Sequence, residues 1–148
     1  MTKEVLLALK GLQFDGSSQE DMTTILPAAY YKRNGKHYLI YDEIMEGFSG
    51  NTQNIIKFHE KELDVTKKGM VNVHLLFEEN RKNLSNYGTP FGDIMVGIHT
   101  SNIRLQEEEK LIQVQVDYDL ELNYEHLANC SISMDIRPLH ESEEFFEA

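Results

Sequence analysis

From Leu111 to Glu125 the chain reads LIQVQVDYDLELNYE. Every second residue from Ile112 is apolar or aromatic: Ile112, Val114, Val116, Tyr118, Leu120, Leu122 and Tyr124. The residues between are Gln113, Gln115, Asp117, Asp119, Glu121 and Asn123. A period of two belongs to a strand with one face in a core and the other in water. This stretch alone therefore demands a sheet that covers a long apolar face. The same alternation returns at Val5, Leu7 and Leu9, at Val71, Val73, Leu75 and Phe77, at Ile94, Val96 and Ile98, and at Ile132, Met134 and Ile136. Helical spacing is nearly absent. Ile55, Ile56, His59 and Leu63 form the best set that a short helix also fits.

The connections agree with strands. Asn34-Gly35 separates AAYYKR from KHYLIY, and because both residues tolerate positive φ the pair signals a hairpin. Further reversals are expected at Asp15 to Asp21, Gly47 to Asn51, His59 to Glu62, Lys67 to Gly69, Glu79 to Asn83 and Glu107 to Lys110. These breaks leave no room for crossover helices, which excludes a parallel βαβ arrangement. A meander of this many strands has exposed edges unless it closes. The expectation is an all-β, mostly antiparallel up-and-down barrel of roughly eight to ten strands. A chain of 148 residues suits one domain. The barrel is placed at residues 1–137, and residues 138–148 read as an acidic C-terminal tail carrying Phe145 and Phe146.

Charge narrows the partners. Asp and Glu number 25 against 14 Lys and Arg, a net charge of −11. Nucleic acid and anionic membrane surfaces are thereby disfavoured, since both reward clustered bases. Cys130 is the single cysteine and lies on the apolar phase of CSISMDI, as a small hydrophobe would in a reducing compartment. The N-terminus lacks a secretory core, and no segment approaches ~20 apolar residues. The expected location is the cytoplasm.

The chemical motifs are mostly incomplete. His37, His59, His74, His99, His126 and His140 never stand two or four apart, and HEKEL lacks the second His of a zinc-protease helix. They are read as surface or strand-face residues, and no metal or cofactor is expected. GFSGN brings its second Gly one residue early for a nucleophile elbow, and phosphate-cradling Gly motifs are absent. Asp42, Glu43 and Glu46 cluster, and Asp117, Asp119 and Glu121 line one strand face. Such charges call for balance by Lys57 or Lys67 on neighbouring strands, and a carboxylate turned into the barrel could serve as acid or base. The seven tyrosines offer apolar area with a hydroxyl handle.

Four segments in order, YDEIMEGFSGNTQNIIK (41–57), VTKKG (65–69), YGTPFGDIMVGIHT (87–100) and VDYDLELN (116–123), resemble the YwiB-like family of small bacterial proteins. The resemblance runs from about Val5 to Ile136. It implies a calycin-like β-barrel related in architecture to lipocalins, with no established activity. It marks Tyr41, Glu43, Gly47, Gly69, Tyr87, Thr89, Pro90, Gly92, Thr100 and Tyr118. Pro90 and Gly92 suit a turn, and Gly47 and Gly69 suit special backbone conformations. Lys67 stands where the family often has Arg, which weakens bidentate anion holding.

Three functions stay open. The first is a binding protein, not an enzyme, that holds a small apolar or amphipathic ligand, with Tyr41, Glu43, Lys67, Tyr87, Thr89 and Tyr118 as candidate ligand-binding residues. The second is an interaction or regulatory module, homodimeric in its simplest version, because HYLIYDEIM carries apolar residues in both phases. The third is a small-molecule enzyme using Glu43 or Asp119.

Overall fold

The computed structural model describes residues 3–11, 23–44 and 50–139. Ten strands follow one another: β1 (Glu4–Lys10), β2 (Thr23–Arg33), β3 (Lys36–Ile44), β4 (Asn51–His59), β5 (Glu62–Gly69), β6 (Val73–Glu78), β7 (Arg81–Thr89), β8 (Gly92–Glu108), β9 (Leu111–Leu122) and β10 (Glu125–Pro138). They form one sheet in the order β6-β5-β4-β3-β2-β1-β10-β9-β8-β7. Each ladder is antiparallel, and pairing of β1 with β10 curls the sheet round.

The sheet's two edges, β6 and β7, are consecutive in sequence, so the barrel nearly closes on itself along one seam. At one end of the seam Asn72 and Gly88 exchange N–H···O bonds of 2.9 and 2.8 Å. Between the ends, side chains replace the ladder: Asn83 Nδ2 donates to the Leu76 carbonyl at 3.0 Å, and Ser85 Oγ to that of His74 at 2.5 Å. Edge carbonyls are thus satisfied without a ladder bond.

The inner face is apolar and close-packed. Phe58, Phe77, Leu7, Leu39, Ile56, Leu63, Leu75, Ile98, Ile112, Ile132, Met134 and Ile136 are the largest fully buried side chains. Each such burial contributes on the order of 1.5–3 kcal/mol. Gln113, Gln115, Asp117, Asp119 and Glu121 of β9 alternate with the buried set and face outward. No described helix is long and apolar enough to cross a membrane.

Two expectations are corrected. Residues 55–63 form no helix: β4 and β5 pair there as an antiparallel hairpin, with Thr52, Asn54, Ile56 and Phe58 buried on one face. Polar residues at the first two inner positions had masked the period of two. The strand of the opening stretch also stops at Leu122, because Asn123 and Tyr124 turn with φ of 50° and 71°. Asn123 N–H donates to Met95 O at 2.8 Å and Met95 N–H to Asn123 Oδ1 at 3.2 Å, leaving Tyr124 69% exposed.

The Asn34-Gly35 hairpin forms with φ of 53° and 77°. The reversal expected at Lys67 to Gly69 falls just after β5, where Asn72 Oδ1 accepts from Gly69 N–H and Asn72 Nδ2 donates to Gly69 O. Gly69 has φ 143°, and a Cβ there would sit 2.1 Å from Asn51 O. The reversal at Asp15 to Asp21, most of that at Gly47 to Asn51, and Phe145 and Phe146 lie outside the described residues.

Candidate functional site at one mouth of the barrel

Residues opposite one another in an antiparallel ladder share a face. The register sets Tyr41 opposite Asn54, Asn54 opposite Lys67, and Lys67 opposite Val73. One step outward along the strands, Glu43 lies opposite Thr52, and Thr52 opposite Gly69. The inner face of β3, β4 and β5 therefore turns polar at this mouth. Tyr41, Thr52, Asn54 and Lys67 are all buried.

Glu43 organises the group. Its Oε1 accepts from Lys67 Nζ at 3.1 Å and from Asn54 Nδ2 at 3.3 Å. Asn54 Nδ2 also reaches Thr52 O at 3.5 Å, and Thr52 Oγ1 accepts from Val71 N–H at 3.3 Å. The carboxylate fixes the orientation of the Asn54 amide, since only its nitrogen can donate to Glu43. Asn54 Oδ1 is then buried with no hydrogen-bond partner. Lys67 carries three donors, and among the described residues Glu43 is its acceptor. Burial first, and the Glu43 charge second, push the Tyr41 phenol above its usual range, so it stays neutral.

Of the residues expected from sequence, Tyr41, Glu43 and Lys67 meet here. Tyr87 is half-buried against the core, and continuing the Asn72–Gly88 pairing along the seam puts it beside Val73, in the row of Lys67. Thr89 serves the β7–β8 turn: its hydroxyl donates to Gly92 O at 2.7 Å and accepts from Phe91 N–H at 3.2 Å. Tyr118 lies deeper, edge-on to Phe77 with ring centroids 5.0 Å apart, and its hydroxyl donates to Gly11 O at 3.4 Å. Asp119 is on the outer face, 4.0 Å from His99 Nδ1, away from this group.

Asn54 and Thr52 were not singled out from the sequence. Their signal is their phase, since they continue the inward set of Ile56 and Phe58. A second polar group was also missed, at the opposite mouth. His37 is 2% exposed, with its ring stacked on Phe58 at 4.8 Å. Its Nδ1 lies 2.7 Å from the Tyr30 hydroxyl and its Nε2 3.4 Å from Glu107 Oε1. Lys32 Nζ reaches Glu107 Oε2 at 2.9 Å. Burial holds His37 below its ordinary value and raises Tyr30 to about 12. Among the described residues no group of three or more His, Cys, Asp or Glu is placed to hold a metal. His59 of HEKEL sits 3.3 Å from Glu62 instead.

This geometry defines a small antiparallel up-and-down β-barrel with a polar cluster at one mouth. The family described as "Domain of unknown function (DUF1934)" matches residues 8–134, and the chain belongs to it. It is 26% identical over 133 residues to the "Uncharacterized beta-barrel protein YwiB" of Bacillus subtilis (strain 168), covering 88% of this chain and 92% of that protein. The crystal structure of the ywiB protein from Bacillus subtilis superposes with a TM-score of 0.75 at 20% identity, covering 92% of each chain. The two share the barrel fold.

Proposed function

We propose that the chain is a binding protein of the cytoplasm, holding a small amphipathic molecule by its polar end at the mouth formed by Tyr41, Glu43, Asn54 and Lys67. The observation that carries this is Asn54 Oδ1, buried and without a partner. A lone buried amide oxygen costs about 1–3 kcal/mol, a penalty that a bound donor would remove. Buried Lys67 beside it offers further donors. Native mass spectrometry of the protein from its own cells, against its denatured mass, tests the reading. A reproducible added mass lost on denaturation supports it; a bare protomer mass across gentle purifications counts against it.

A second reading is association of two copies through the outer face of β1–β4. There Leu6 lies opposite Pro27, Ala8 opposite Ile25, and Ala29, Ile40 and Ile55 form one row. Tyr31 stacks on Tyr38 at 4.5 Å, and Ile25 is 64% exposed. Sedimentation velocity decides: a protomer at every concentration removes this reading, and a dimer lost on Ile40→Lys supports it.

A further inference from the structure

The charge state of the mouth restricts what it can hold. Lys67 and Glu43 neutralise each other at 3.1 Å. An incoming carboxylate or phosphate would meet Glu43, which already takes two donors on one oxygen. An incoming ammonium would meet Lys67, whose own ammonium occupies the cation position. Either ion would leave water for a buried place without a free counter-charge, which is unfavourable. What remains unmatched is neutral and two-sided: Asn54 Oδ1 needs a donor, and Lys67 has N–H groups that need an acceptor. The two residues are direct ladder partners, so one small group can address both. The neutral phenol of Tyr41, directly across from Asn54, can donate or accept at the same place.

We propose that the head group taken at this mouth is an uncharged group that both donates and accepts, a hydroxyl or a primary carboxamide on an apolar body, and not a carboxylate, a phosphate or an ammonium ion. This rests on the binding reading above and names the class of ligand for it. The head accepts from Lys67 Nζ and donates to Asn54 Oδ1.

The test uses four probes that share one alkyl chain: decan-1-ol, decanamide, decanoate and decylammonium. Each is titrated into the full chain at neutral pH below its micelle concentration, with binding read by calorimetry. Decanamide and decan-1-ol are expected to bind about tenfold or more tightly than the two ions. Asn54→Leu should remove that preference, and Asn54→Asp, which replaces the amide by an acid, should shift it toward decylammonium. The Asp variant keeps the test alive if the Leu variant fails to fold. Tightest binding of decanoate or decylammonium, equal binding of all four, or a preference unchanged in both variants overturns the head-group class while leaving the barrel a binder. Binding of none of the four overturns the binding reading itself.

Discussion

Replacing Asn54 by Leu should stabilise the ligand-free protein, although the site is 0% exposed and lies within hydrogen-bonding distance of a charged partner. The buried Oδ1 without a partner carries a penalty of about 1–3 kcal/mol, which Leu removes. Against this stands the loss of the Nδ2 bond to Glu43. At 3.3 Å, to a carboxylate that is 32% exposed and can recruit water, that bond is worth about 0.5–1.5 kcal/mol. Leu has nearly the same reach and gains transfer energy against Ile56 and its neighbours. The balance favours Leu by about 1 kcal/mol, a rise in Tm of roughly 2–4 °C for a chain of this size. Urea denaturation with a linear extrapolation measures it, and Ile56→Ala on the same strand, expected to cost about 2–5 kcal/mol, calibrates the scale. If Asn54→Leu destabilises by more than about 1 kcal/mol, the amide oxygen has a stabilising partner and the argument for a ligand-seeking group is refuted.

Four further outcomes are expected. Glu43→Gln should cost more than Lys67→Met, about 2–4 against about 1 kcal/mol, because it strands a lysine whose side chain is 6% exposed, whereas a freed Glu43 reaches water; equal losses in denaturant titrations would contradict this. His37 has a folded value held below 6.5 by burial, so the unfolded chain binds the extra proton. Stability is therefore full above pH 6.5 and declines as pH falls below it toward the lowered folded value, and His37→Gln should flatten that slope in paired titrations. Glu107, lowered chiefly by its Lys32 hydrogen bond, adds a separate decline beneath its ordinary 4.5. Tyr124→Gly should stabilise by about 1 kcal/mol, since Tyr124 is exposed and holds φ at 71°; an unchanged midpoint would remove the strain argument.

The architecture was legible because a period of two survives in most strands and because Asn34-Gly35 marks its hairpin chemically. The misreadings share a cause: identity and position disagreed. Tyr124 is aromatic and in phase, yet it turns, because Asn123 captures Met95 through backbone and side chain across a neighbouring strand. Pattern along one strand cannot show a bond made to another. Thr52 and Asn54 failed in the opposite sense, being polar at inward positions, so β4 looked less like a strand than it is. Candidate residues fared by the same rule. Glu43, marked by the family resemblance, and Lys67, named beside Lys57 as a balancing charge, pair across the strands at 3.1 Å. His37 and Tyr30 were passed over because no local spacing reports that β2, β3 and β8 converge at one end.

The two mouths differ in a way that bears on which of them works. At the far mouth, the polar side chains satisfy one another in sequence: Tyr30 to His37, His37 to Glu107, Glu107 to Lys32. Those links run from the β2–β3 hairpin to the end of β8, so they tie two hairpins together across the opening. A closed chain of this kind fixes structure and asks for no ligand. At the near mouth two donors, Lys67 Nζ and Asn54 Nδ2, converge on one oxygen of Glu43, and one amide oxygen is left without a partner. A fold that satisfies buried Tyr30 and His37 at one end and leaves an acceptor bare at the other is better explained by a missing partner than by poor packing. A double substitution separates the two ends. Tyr30→Phe with His37→Gln should loosen the far mouth and speed hydrogen exchange in the β2–β3 and β8–β9 hairpins without altering binding of decanamide. Loss of binding together with faster exchange would place the ligand at the far end and overturn the assignment of the site.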